Sequence, residues 1–139
     1  MKGEVLIRGQ VLVEGRGSGP LLVLTAPISF WGGVDPASGR IIDVRHPEHG
    51  RSIGGMALAL PGTIGSSSSA SVMLELIASG HAPAALLLAE VDAILLLGSI
   101  VAREMSHTPP PALRLDGAGF ASLSGQTHAT VGVDGQLSF

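Results

Sequence analysis

The 139-residue chain contains no cysteine and no tyrosine, and its aromatic residues are one tryptophan and three phenylalanines. Without a thiol it can form no disulfide and offers no thiolate to a metal, so any iron–sulfur chemistry it serves must belong to another polypeptide. Charge is scarce as well. Charged residues make up 14% of the sequence and the net charge is −3. With so few rings, that leaves neither a basic stripe for phosphates nor stacking platforms for bases, which argues against nucleic acid as a partner. A long uninterrupted apolar run is also missing. The one stretch of membrane length, Ala82 to Ala102, carries Pro83, Glu90, Asp92 and Gly98, and a charge near a bilayer midplane costs about 3 kcal/mol. It reads as two buried segments around an acidic turn. The first residues, MKGEVLIRGQVLVEG, alternate charge with apolar groups and have neither the apolar core nor the cleavage site of a leader peptide. The expected compartment is therefore the cytoplasm.

What is abundant is aliphatic. Hydrophobic residues make up 45% of the chain, more than one small core needs, which predicts a surface covered by another chain. The length fits a single domain over 1–139, and no linker or internal repeat divides it. Glu4 to Glu14 and Leu21 to Ala26 read as strands separated by the glycine-rich loop Gly15 to Gly19. A long shaped loop, Phe30 to Arg40, precedes a short strand expected over Ile41 to Val44, and a polar loop with His46 and His49 leads to the apolar segment Met56 to Leu60. Ser69 to Ser79 has the pattern of a helix stopped by Gly80. Ala84 to Leu88 and Ala93 to Leu97 are continuous apolar runs of strand length, the pattern of parallel strands buried on both faces. A short helix is expected over Ser99 to Met105, and the tail alternates like short antiparallel strands. The fold class is mixed β/α, with strands in the majority and one dominant helix.

Between the third apolar segment and the helix lies PGTIGSSSSASVMLEL, Pro61 to Leu76, with four consecutive serines, Ser66 to Ser69. A serine-rich linker is seldom held between an apolar strand and an apolar helix. A helix cap needs only one serine oxygen, for roughly 1 kcal/mol. Strand, glycine turn and helix together aim backbone N–H groups and the positive end of the helix dipole at one place, where a carboxylate or phosphate can sit. A serine there can also move a proton if the same donors stabilise its alkoxide.

Four elements occur in order: GGVDPASGRIID (Gly32 to Asp43), HPEHG (His46 to Gly50), the glycine–serine cluster running into Leu74-Glu75-Leu76, and the apolar strand after Ala82-Pro83. In these the chain resembles the small, swivel-domain subunit of the aconitase X family. The resemblance implies a swivelling β/β/α domain that docks on a larger, cysteine-bearing subunit holding an iron–sulfur cluster or mononuclear iron. It implies that the joint active site dehydrates a small hydroxy acid. By position in the family motif, Ser66 would be the catalytic base, with Gly65, Ser67 and Ser68 binding substrate. Family members that act on phosphomevalonate are expected to carry an arginine in the cluster where this chain has Ile64. An arginine can clamp a phosphate in two places and isoleucine cannot, so a non-phosphorylated substrate, cis-3-hydroxy-L-proline, is expected. The alternatives are the small subunit of a phosphomevalonate dehydratase and a non-catalytic swivel domain binding a carboxylate, a phosphate or a protein.

His46 and His49, with no thiol and only Glu48 nearby, read as surface loop positions rather than a metal pair, and no metal is assigned to this chain. Asp35 before Pro36 reads as a turn residue, as does Asp43. Phe30 and Trp31 read equally as a partner anchor or a lid on the core. Glu90 and Asp92 read as a solvated turn.

Overall fold

A computed structural model describes residues 6–139. In chain order the elements are β1 (Leu6–Arg8), β2 (Gln10–Val13), β3 (Gly17–Val23), the irregular turn α1 (Phe30–Gly33), β4 (Ala57–Leu60), α2 (Ser69–Ser79), β5 (Ala85–Leu88), α3 (Ala93–Glu104), β6 (Ala112–Arg114), α4 (Gly117–Ala121), β7 (His128–Val131) and β8 (Gln136–Ser138). Glu4 and Val5, the start of the first expected strand, lie outside the described residues, as do the other residues of 1–5 in the segment read for a leader peptide.

The eight strands form one sheet in the order β1-β8-β7-β3-β4-β5-β6-β2. Its two ends, β1 and β2, are separated in sequence only by Gly9, so the sheet curls until its edges meet in one bent segment. Gly9 permits the bend: a Cβ there would stand 3.0 Å from the Arg114 carbonyl oxygen and from the Leu113 and Leu115 side chains. β3, β4, β5 and β6 run parallel, while β1, β8, β7 and β3 pair antiparallel. One half of the sheet is thus built from strand–helix–strand units and the other from hairpin-like pairings.

The alternation of side chains divides the interior in two. Ala57 and Ala59 of β4, with Ala85 and Leu87 of β5, join Leu113, Ala129, Val131 and Leu137 in the cluster enclosed by the curled sheet. Leu58, Leu60, Leu86 and Leu88 point the other way and pack with Met73 and Leu76 of α2 and Leu95 of α3. Both faces of β4 and β5 are buried, which is why these strands read as continuous apolar runs. The result is two β layers and one helical layer, as the β/β/α reading expected.

The helix α2 has the expected limits, and Gly80 ends it in the left-handed region at φ 80°, with the His81 N–H donating to the Leu76 carbonyl at 2.9 Å. Other expectations change. Ala93 to Leu97 is not a strand but the first half of α3, so the fold has two long helices rather than one. Asp92 starts this helix by accepting from the N–H groups of Ile94 and Leu95, and Leu95, Ser99 and Ala102 are buried at helical spacing. Gly98, just past the expected strand, is a packing residue inside α3: a Cβ there would collide with the Ala70 carbonyl of α2 and lie 2.9 Å from Met73 Cβ. Ile41 to Val44 is no strand, since only isolated bridges form there, Val34 with Ile41 and Arg40 with Ser52. Gly17 to Gly19, read as loop, begin β3. Among the described residues no helix is long and apolar enough to cross a membrane.

Candidate functional site

In sheets of strand–helix–strand units, ligands bind in the crevice outside the carboxyl ends of the parallel strands. Three segments gather at that edge here: the one after β3, from Leu24 to Trp31; the one after β4, from Pro61 to Ser68; and the one after β5, from Ala89 to Asp92. The first two are joined by a parallel bridge between Ile28 and Thr63, with the Ile64 N–H donating to the Ile28 carbonyl at 3.0 Å.

The serines sit in the middle segment. Ser66 turns the chain into α2: its hydroxyl oxygen accepts from the Ser68 N–H at 3.2 Å and its carbonyl from the Ser69 N–H at 3.1 Å. Ser68 stands at the N-cap position with near-helical φ −89° and ψ −3°, and its side chain caps nothing. Among the described residues, the N–H groups of Gly65, Ser66 and Ser67 find no acceptor, and the hydroxyls of Ser67 and Ser68 no partner. Ser67 is exposed and Ser66 and Ser68 are half-buried, whereas Ser69, the first residue of α2, is buried. Nothing occupies the space beside Gly65 within 4 Å of where a Cβ would stand. The four residues assigned to the site, Gly65, Ser66, Ser67 and Ser68, therefore come together at an open helix N-terminus, with donors that find no acceptor among the described residues. Such a place accepts a carboxylate. The hydrogen bond onto Ser66 Oγ is of the kind that stabilises negative charge on that oxygen.

Two neighbouring segments support this loop. Thr63 Oγ1 donates to Asp92 Oδ2 at 2.6 Å, while Asp92 Oδ1 accepts from the N–H groups of Ile94 and Leu95, each at 3.1 Å. Asp92 is thus a helix cap tied to the serine loop and not a residue of a solvated turn. An aspartate directly before an apolar run was the sequence signal for it. Glu90 is exposed, and its Oε1 lies 2.7 Å from where a Cβ on Gly62 would be.

On the other side, Glu48 accepts from the Thr25 N–H at 2.8 Å and from the Thr25 hydroxyl at 3.0 Å. His46 is buried, contrary to a surface position; His49 is exposed as expected. The His46 Nδ1 accepts from the Glu48 N–H at 3.0 Å, which leaves Nε2 to donate to the Ala26 carbonyl at 3.0 Å. The histidine therefore pins the polar loop to the segment after β3. Sequence reasoning did not find Thr25, Glu48 or Thr63. Among the described residues no three histidine, aspartate or glutamate side chains converge to hold a metal ion.

Asp35 lies away from this edge. Its carboxylate accepts from the Ala37 N–H and the Ser38 hydroxyl, the turn geometry expected, and next to it Pro36 accepts from Ser79 at the far end of α2. The Ser38 hydroxyl, then the Ala37 N–H, hold the Asp35 carboxyl below its ordinary range. Phe30 is a core residue, whereas Trp31 is 60% exposed and Ile64 58%. Val44 and Val91 are exposed as well.

The family model of the aconitase X swivel domain matches residues 6–138. The chain is 47% identical over 137 residues to a cis-3-hydroxy-L-proline dehydratase of Pseudomonas aeruginosa, covering 99% of this chain and 23% of that protein. It therefore spans about a quarter of that relative's length. It is 45% identical over 93 residues to a phosphomevalonate dehydratase small subunit of Methanothermobacter thermautotrophicus, covering 67% of this chain and 71% of that one. The crystal structure of Thermococcus kodakaraensis aconitase X in its holo-form superposes with a TM-score of 0.81 at 27% identity, over 96% of both chains.

Proposed function

The chain belongs to the aconitase X swivel-domain family, and from that premise we propose that it is the swivelling component of a hydro-lyase that dehydrates cis-3-hydroxy-L-proline. The observation that carries the proposal is the open N-terminus of α2, where the N–H groups of Gly65, Ser66 and Ser67 and the hydroxyls of Ser67 and Ser68 await a partner. In this reading they hold the substrate carboxylate, and Ser66 Oγ, as its alkoxide, takes the proton from the carbon beside it and becomes the neutral hydroxyl, while the C–H electron pair forms the double bond and the substrate hydroxyl departs. The negative charge that develops is drawn toward the helix N-terminus, which lowers its cost.

Four observations support the remaining parts. The family resemblance implies an iron–sulfur or mononuclear iron centre in the large component of the enzyme, and a chain that has no thiol, and whose described residues offer no metal-binding cluster, agrees with that division of labour. When bound, such a centre supplies a Lewis acid for the departing hydroxyl. The exposed apolar side chains of Trp31, Val44, Ile64 and Val91 are suited to docking against that component. Near-complete coverage at 47% identity favours the hydroxyproline substrate over phosphomevalonate, where the match spans 67% of the chain. Ile64, exposed beside the serines, gives a phosphate no cation to pair with.

The test is a dehydration assay on the complete enzyme, this chain joined by its large component, with cis-3-hydroxy-L-proline and 5-phosphomevalonate offered separately. Turnover of the hydroxyproline alone is expected. Turnover of the phosphorylated compound alone would overturn the substrate assignment, and turnover of neither would favour a non-catalytic binding domain.

A further inference from the structure

Resting on the reading of Ser66 as base, we infer that Thr63 and Asp92 are positioning residues that fix the serine loop to α3. The loop is held at both ends by that one helix. At its start, the Thr63 hydroxyl donates to Asp92 at 2.6 Å, and the other oxygen of the same carboxylate closes the first turn of α3 through Ile94 and Leu95. Beyond its end, the backbone of α2 at Ala70 lies so close to Gly98 of α3 that no side chain fits between them. Between these two anchors the chain makes the turn in which Ser66 Oγ accepts from the Ser68 N–H.

A carboxylate that accepts from three donors on two elements cannot move without breaking bonds on both. The cap holds Asp92 to the helix, and Thr63 transmits that position to a point three residues before Ser66. Neither side chain needs to touch substrate. Both act through the direction in which Ser66 and its neighbours face, and a misplacement of about 1 Å in such a group can cost roughly a hundredfold in rate. The parallel bridge between Thr63 and Ile28 fixes the backbone at the same residue, so deleting the hydroxyl alone should loosen the loop without releasing the strand.

The experiment uses Thr63→Val, Thr63→Ser, Asp92→Asn and Ser66→Ala in the complete enzyme, with hydrogen exchange of the Ser68 and Ser69 amides as a second readout. Valine keeps the shape and removes the donor; serine restores it; asparagine keeps the helix cap. Thr63→Val is expected to lower kcat about tenfold with KM changed less than about threefold, and to speed exchange at Ser68 and Ser69 by a similar factor, with Thr63→Ser reversing both effects. Asp92→Asn should fall between them. If Ser66→Ala abolishes turnover while Thr63→Val leaves both kcat and amide exchange unchanged, the anchor is refuted and the base stands. If Ser66→Ala turns over normally, the base assignment fails, and the positioning role fails with it.

Discussion

Two neighbouring helices begin in opposite ways. α3 starts at Asp92, whose carboxylate satisfies the N–H groups of Ile94 and Leu95. α2 starts at Ser68, whose side chain caps nothing, after three residues whose N–H groups find no acceptor among the described residues. Both helices follow parallel strands and pack on the same layer of leucines, so the difference does not come from burial or topology. A protein that can cap one helix with a carboxylate can cap the next. Leaving α2 open forgoes about 1 kcal/mol of capping energy, which the proposed function explains as keeping a site for an external carboxylate. The lesson extends to cavities. A hollow of about 550 Å³ beside Arg16, Thr130 and Gln136 lies on the antiparallel half. The proposed chemistry gathers instead where parallel strands end.

Filling the open terminus from within should erase the contrast. Ser67→Asp would place a carboxylate at the start of α2, where it competes with substrate; activity should fall by about a hundredfold or more while stability rises by roughly 0.5 kcal/mol. A variant that gained stability and kept its activity would show that the open donors do not bind substrate. Forcing the helices apart should be costly too. Gly98→Val must displace the Ala70 carbonyl and Met73, and a loss of about 3 kcal/mol or more in denaturant unfolding is expected. Gly62→Ala meets only the flexible tip of exposed Glu90, so it should change stability by less than about 0.5 kcal/mol. Equal effects of the two would contradict the packing described for α2 and α3.

Removing the cap that α3 does have should cost less. Asp92→Ala is expected to lower stability by about 1 to 2 kcal/mol, readable as a shift of the denaturant midpoint. The smallest effect belongs to Asp35, whose carboxyl is held below its ordinary range by the Ser38 hydroxyl and the Ala37 N–H. A depressed carboxyl stabilises the fold above its unfolded value and loses that contribution as pH falls through the folded one. Asp35→Asn should therefore melt slightly below the unmodified protein at neutral pH, and the gap should close in acid as Asp35 protonates. A gap that widened in acid would reverse the assigned sign.

Much of this arrangement could be read from sequence where local pattern and tertiary role agree. α2 combines a helical pattern, a glycine stop and a polar approach, and its limits followed from those alone. The runs at β4 and β5 are continuous because both faces are buried, a signature that survives without coordinates. α3 failed the same reading. Ala93 to Leu97 has the length and composition of a buried strand, and Gly98 looks like a break until Ala70 is known to press against it. The closure of the sheet through Gly9 was equally hidden, since it depends on pairings between the two ends of the chain. At the site, the serine cluster stood out by composition. Its supports, Thr63, Glu48 and buried His46, did not, because ordinary polar residues become informative only when distant segments meet.

The turnover number of the complete enzyme carrying Ser66→Ala tests the central claim most directly. With the N–H groups proposed to bind the carboxylate intact and the proposed proton acceptor gone, kcat for cis-3-hydroxy-L-proline should drop by about a thousandfold while KM stays within about tenfold. A kcat within threefold of the unmodified enzyme, a difference of about 0.6 kcal/mol in barrier, would contradict it.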